Sequence, residues 1–283
     1  MSEPVIDAVE TTIDYLIPTS LINRRWWAPG KEYNTGKYEP YPVKIRNARA
    51  AGPFTLDEHG FELTRHESKV TDWEANYGPD GDYAAEVTEV VTRMTGADLV
   101  INMGGMVRTS GLTSDTRQPP AAEAHVDFTT QSANRIAEML YRKERPEGAG
   151  YDRFISFSLW RVLTPPPQDM PLAFCEAGSV RDDEGTRNVK IDVDEIPTGE
   201  ALFAPVEGEE EMAAATIFHH SPDHRWWYFP DMELDEAVLI KFHDSDHSIA
   251  WRCPHTAFRD TTRPDAKERR SMEFRGIAYF TKD

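Results

Sequence analysis

The stretch FISFSLWRVL (154–163) is apolar or small at nearly every position, and a proline-rich turn separates it from LAFC (172–175). Short runs of aromatic and branched residues bounded by Pro, Gly and Asp read as strands. Three more such runs follow, at 213–218, 237–242 and 271–280. Upstream the period changes. Tyr83, Val87, Val90, Val91 and Met94 recur at helical spacing, which predicts a helix over 82–95 that Gly96 can end in the left-handed conformation. The run 97–103 reads as a strand, and a second helix fits 131–143, with Ile136, Met139 and Leu140 on one face. Helices early and strands late predict an α+β, mainly β fold, a double-stranded β-helix (jelly-roll) core with helices packed on one face.

With 283 residues, 39% of them hydrophobic, the chain can bury one substantial core. Residues 1–80 carry Trp26, Trp27, Tyr33, Tyr38 and Tyr41 among prolines and glycines. We expect them to form an N-terminal extension wrapping a core of residues 81–283, all within a single domain of 1–283. The 49 acidic against 31 basic residues give a net charge of −18, which repels phosphate backbones and argues against nucleic acid as a partner. Two cysteines, Cys175 and Cys253, with no CxxC spacing read as reduced thiols, not a zinc site. The opening MSEPVIDAVETT has no basic stretch leading into an apolar run, and no apolar run reaches the ~18 residues of a membrane span. The expectation is a soluble, cytoplasmic protein whose partner is a small molecule and which does not bind membranes. Homo-oligomerisation is left open.

The segment AEAHVDFTT (122–130) places His125 and Asp127 two residues apart. On a strand such residues share a face, so an imidazole and a carboxylate can reach one ion together. Alone the pair is ambiguous, because an Asp in a surface turn can also cap the helix that follows. The downstream RCPHTAFRD supplies His255. Two histidines and one carboxylate form the facial set that binds non-haem Fe(II) and leaves positions open for a co-substrate and O2. Further on, Arg269 and Ser271 form an R-x-S pair at the start of a predicted strand. An arginine and a hydroxyl on one face can hold the distal carboxylate of 2-oxoglutarate. Arg275 has the same parity and competes for that role, whereas Arg270 points the other way.

These segments resemble the Fe(II)/2-oxoglutarate oxygenase-like group of AsaB-type hydroxylases, gibberellin desaturases and the cephamycin methoxylation protein CmcJ. The matching stretches are FTLDEHGFEL (54–63), HVDFT (125–129), SLWRVL (158–163), PLAFCEAGSV (171–180), WWYFPDMELDEAVLIKFHDSD (226–246), RCPHTAF (252–258) and RRSMEFR (269–275). The resemblance implies His125, Asp127 and His255 as iron ligands and Arg269 and Ser271 as the 2-oxoglutarate anchor. It implies oxidation of an unactivated C–H bond of a small molecule (hydroxylation, desaturation or cyclisation) in specialised metabolism. Members often carry Asp and His in the strand before the first ligand, where this chain has Asn102 and the Gly104–Gly105 pair. Rival readings are an accessory protein of the same fold and a cupin-like iron enzyme without 2-oxoglutarate.

Trp160 and Arg161 on the predicted core strand, and Tyr228 in WWYFPDM, are candidate substrate contacts, although that aromatic run also reads as packing. Two further histidine groups, His219, His220 and His224, and His243 and His247, read as solvated, as does the acidic stretch GEEEM (208–212).

Overall fold

The computed structural model describes residues 7–114 and 117–282. Along the chain come β1 (Ala8–Leu16), β2 (Arg24–Ala28), β3 (Lys31–Asn34), β4 (Tyr38–Asn47), short helices α1 (Ala48–Ala51) and α2 (Leu56–His59), and β5 (Phe61–Arg65). Then follow helix α3 (Asp82–Thr95), β6 (Leu99–Thr109), β7 (Arg117–Gln118), β8 (His125–Val126) and helix α4 (Thr130–Glu144). The rest is mostly strand: β9 (Tyr151–Val162), β10 (Leu172–Cys175), β11 (Thr186–Asp192), β12 (Ala214–Ile217), β13 (Trp226–Tyr228), β14 (Glu236–Asp244), β15 (His255–Ala257) and β16 (Arg270–Thr281).

They form two sheets. One has ten strands in the order β1-β4-β13-β10-β15-β8-β12-β11-β2-β3, the other six in the order β5-β14-β9-β16-β6-β7. Strand β9 shows why the run 154–163 is so apolar, since both of its faces are covered. Trp160 and Val162 face the other sheet and pack with Phe174, Trp226 and Val126. Ile155, Phe157 and Leu159 face outward and pack under α3 with Val87, Val90 and Val91.

The helices do not share a face. Helix α3 covers the outer side of the six-stranded sheet and ends at Gly96, whose φ is +73°. Helix α4, with the Thr129 side chain accepting from Ser132 N, packs Ala133, Ala137 and Tyr141 on Phe154, Ile277 and Tyr279. Those strand residues have the parity of the inner face, so α4 closes one end of the space between the sheets. Small residues let it approach closely, and Met139, expected on its buried side, is 59% exposed.

Residues 8–65, expected to wrap the core, supply five strands to the two sheets. Strand β4 pairs in parallel with β13, β2 in parallel with β11, and β5 antiparallel with β14. Pairings across such sequence distances leave no local pattern to read.

Strand β6 runs against β16, with Gly105 opposite Phe274 and Gly104 opposite Arg275. Asn102 donates its side-chain amide to Ala84 O and Thr88 Oγ1, which ties β6 to α3. A Cβ on Gly105 would lie 2.8 Å from Glu273 O and 2.8 Å from the Phe274 ring, and Gly104 has φ +90°. The glycine pair therefore lets β6 lie close on the strand that carries Ser271, Glu273 and Arg275. Gly105→Ala should destabilise the protein by about 1–3 kcal/mol, the usual range for overpacking, as read by chemical denaturation. Unchanged stability would contradict this close approach.

Candidate metal centre

Strand β8 is only two residues long and lies between β15 and β12. Its pairing puts His125 directly opposite His255. Asp127 follows on the same face as His125. The His125 Nε2 lies 3.4 Å and the His255 Nε2 3.9 Å from the same oxygen, Asp127 Oδ1. Among the described residues, these three are the one group of His, Cys, Asp and Glu whose ligand atoms all lie within 4.8 Å of one another.

The rings are oriented by the backbone. His125 Nδ1 is 2.8 Å from Glu123 O, and His255 Nδ1 is 3.1 Å from Cys253 O. A carbonyl can only accept, so each Nδ1 carries a hydrogen and each Nε2 is left turned toward Asp127. A bulge in β14 skips Phe242 between Lys241 and His243. Phe242 then stacks on the His255 ring at 5.2 Å and 9°.

Asp127 has a second partner. Its Oδ2 forms an ion pair with Arg275 Nη2 at 2.8 Å. Arg275 also pairs with Glu273, which in turn accepts from Arg108 Nε at 2.7 Å. Burial alone would raise the Asp127 pKa, but Arg275 and the two histidines hold it well below the usual carboxylate range. Burial and the nearby His125 keep His255 neutral, with its pKa down at about 4. Burial also opposes charge on His125, yet its contacts with Asp127 outweigh this and move its pKa up.

Two cavities meet at His125. The inner one, about 20 Å³, is walled by His125, His255, Ser158, Trp160, Arg269 and Glu273, among others. The outer cleft, about 570 Å³, reaches His125, Asp127 and Arg275 and runs along Arg25, Asn188, Lys190 and the small residues 213–215. They share Arg108, Ala121 and His125.

Arg269 lies in the inner wall and is 1% exposed. Its Nη1 donates to Met170 O at 2.7 Å, its guanidinium lies 5.6 Å from the Trp160 ring, and its Nε has no partner. Burial, reinforced by Arg108, pushes its pKa down to about 9. Ser271 Oγ is also buried without a partner. Arg275 is engaged by Asp127 and Glu273. Arg270 is paired with Glu74 at 3.2 Å, away from this wall, as its parity implied.

Two expected substrate contacts lie elsewhere. Arg161 projects from the face of β9 opposite to Trp160, because successive strand residues point to opposite sides. Its guanidinium donates to His66 O and Leu234 O, both at 2.7 Å, and lies over the Trp73 and Tyr83 rings. Tyr228 is buried in the core between the sheets, edge-on to Phe258 at 5.3 Å. Trp160 does line the inner cavity.

Of the other histidines expected to be solvated, His247 is exposed, stacked on Trp251, whereas His220, His224 and His243 are packed. His224 bridges Glu184 and Tyr15 at 2.9 and 3.0 Å, His220 stacks on Tyr41, and His243 is 1% exposed against Phe154 and Trp251. In the acidic stretch, Glu209 receives two hydrogen bonds from Arg24. Reading by residue type overlooked Ser158 and Asn188, whose side-chain oxygens are buried without partners at the cavities. Only the strand parity of Ser158 relative to Trp160 could have signalled it.

A profile of the oxidoreductase/YMDC permease-like domain family matches residues 14–279. No helix among the described residues is long and apolar enough to cross a membrane. The chain is 32% identical over 239 residues to the hydroxylase/desaturase CTB9 of Cercospora beticola, covering 78% of this chain and 71% of that one. It is 26% identical over 258 residues to the Fe(II)/2-oxoglutarate-dependent dioxygenase nvfI of Aspergillus novofumigatus, covering 89% and 87%. The solved structure of the iron and alpha-ketoglutarate-dependent endoperoxidase NvfI superposes with a TM-score of 0.78 over 98% of this chain and 99% of that one. At 22% identity that likeness speaks to the fold alone. By the extent of the profile match and the similarity to CTB9, the chain belongs to this oxidoreductase family, in which its relatives are hydroxylase/desaturases.

Proposed function

We propose that the protein is an Fe(II)/2-oxoglutarate-dependent oxygenase with a jelly-roll core, acting on an unactivated C–H bond of a small molecule in specialised metabolism. The observation that carries this reading is the convergence of two oriented Nε2 atoms on one carboxylate beside a buried, carboxylate-free arginine.

The donor set fits the metal. His125 and His255 offer their Nε2 atoms, Asp127 offers Oδ1, and this two-histidine, one-carboxylate set suits Fe(II) with open positions. Arg275 occupies Oδ2 and so favours Asp127 as a one-oxygen ligand. The co-substrate fits the unpaired groups. Arg269 Nε and Ser271 Oγ are buried without a protein partner, and a carboxylate would satisfy both. Fe(II) with 2-oxoglutarate and O2 supplies the oxidising chemistry that side chains lack.

The protein's share is position and exclusion of water. Trp160, Leu172, Ile240 and Ala257 wall the inner cavity with apolar surface. The outer cleft gives the substrate a place beside Asp127, floored by alanines and bordered by Asn188, Lys190 and the Arg25–Glu32 pair. Whether the product is an alcohol, an alkene or a ring depends on which C–H bonds the substrate presents there.

With Fe(II), 2-oxoglutarate and O2, the protein should form succinate, and Asp127→Ala or His255→Ala should lose both bound iron and succinate formation. Full activity in either variant would remove that residue from the metal set. Arg269→Ala should raise the KM for 2-oxoglutarate by about 30-fold or more, because a buried charge-assisted pair is worth about 2–5 kcal/mol. Arg161→Leu should leave that KM unchanged while lowering the melting temperature, since Arg161 binds carbonyls on the far face. A reversed pattern in steady-state kinetics would exchange the two roles.

A further inference from the structure

Among the described residues, the buried polar atoms on or beside the inner face of the six-stranded sheet that have no hydrogen-bond partner include Ser156 Oγ, Ser158 Oγ, Ser271 Oγ and Arg269 Nε. Such an atom costs free energy in the folded protein, so one that faces a cavity points to a ligand. Arg269 and Ser271 belong to the anchor described above. Ser158 does not. It is 1% exposed and lines the same inner cavity as His125, His255 and Arg269.

The strand register fixes where Ser158 stands. It lies opposite Arg275 on β16, the residue that holds Asp127. Trp160, two residues along β9, lies opposite Glu273 and carries the Arg269 guanidinium over its ring. Two residues of strand span about 6.6 Å, comparable to the reach of a five-carbon diacid. Arg269 marks one end of that span and Ser158 the end nearer the metal ligands.

We propose that Ser158 is a further co-substrate-binding residue. Its hydroxyl donates to the carboxylate of the keto-acid end of 2-oxoglutarate while Arg269 holds the distal carboxylate. This rests on the 2-oxoglutarate reading. Ser156 is an internal control. It has the same parity on the same strand, is equally buried and equally unpartnered, but is not part of the cavity wall.

The test is calorimetric titration of 2-oxoglutarate into protein loaded with Mn(II), alongside melting of the metal-free proteins. Ser158→Ala should bind 2-oxoglutarate about tenfold more weakly, the effect of losing one hydrogen bond to a charged group. Its melting temperature should equal or exceed that of the unsubstituted protein, because an unsatisfied buried hydroxyl has been removed. Ser156→Ala should bind like the unsubstituted protein. Unchanged affinity in Ser158→Ala overturns the proposal. So does equal weakening by both substitutions, or weakening accompanied by a lower melting temperature, since either marks a packing role. If the unsubstituted protein gives no binding heat, the co-substrate reading itself fails, a result distinct from failure of Ser158 alone.

Discussion

The ion pair between Asp127 and Arg275 is the contact around which the site is arranged. A carboxylate buried between two sheets is costly unless charge and hydrogen bonds surround it. Here Oδ2 takes Arg275 at 2.8 Å and Oδ1 faces two imidazoles. Arg275 is itself balanced by Glu273, and Glu273 by Arg108, so the charges alternate along one wall. Strand parity supplies the order. Ser271, Glu273 and Arg275 lie on one face of β16, while Met272 and Phe274 on the other face pack under α3. The backbone carbonyls at Glu123 and Cys253 then decide which nitrogen of each histidine is free.

Arg269 stands apart from this balanced wall. It is more deeply buried than Arg275, whose side chain is 30% exposed, yet it has no carboxylate partner among the described residues, and its pKa is pushed down where that of Arg275 is pushed up. Burial acts on both, and the difference lies in what faces them. A buried cation kept without an anion is a standing cost to stability, of the kind that binding sites carry in the absence of ligand. The same reasoning, joined to its place in the inner cavity wall, separates Ser158 from the many hydroxyls that cap turns and helices.

Much of this could be read from the residues. The helix over 82–95 with its Gly96 end, the strand at 172–175, and the strands near 154–163 and 271–280 follow from period and punctuation, and the structure has them within a few residues. The juxtaposition of His125, Asp127 and His255 followed from an i, i+2 pair and a distant histidine. What the residues hid was non-local. Nothing in 8–65 says that β2 and β4 pair in parallel with strands near 190 and 227. At one end of the inter-sheet space α4 packs through the small Ala133 and Ala137, with Ile136 and Leu140 of the expected stripe beside them and only Met139 turned out. Trp160 and Arg161 were read together as substrate contacts, although adjacent strand residues cannot share a face. Arg161 turned out to bind carbonyls beneath α3. Arg275 competed with Arg269 on parity alone. Only the position of Asp127 separates them.

The central claim is that iron and 2-oxoglutarate meet at His125, Asp127 and His255. Visible absorption of the oxygen-free protein, recorded as Fe(II) and then 2-oxoglutarate are added, tests it most directly. Bidentate chelation of the 2-oxo acid to Fe(II) produces a weak charge-transfer band. The account predicts that the band appears and is lost in His255→Ala. Iron binding with no band in the unsubstituted protein, or no iron binding at all, would contradict it.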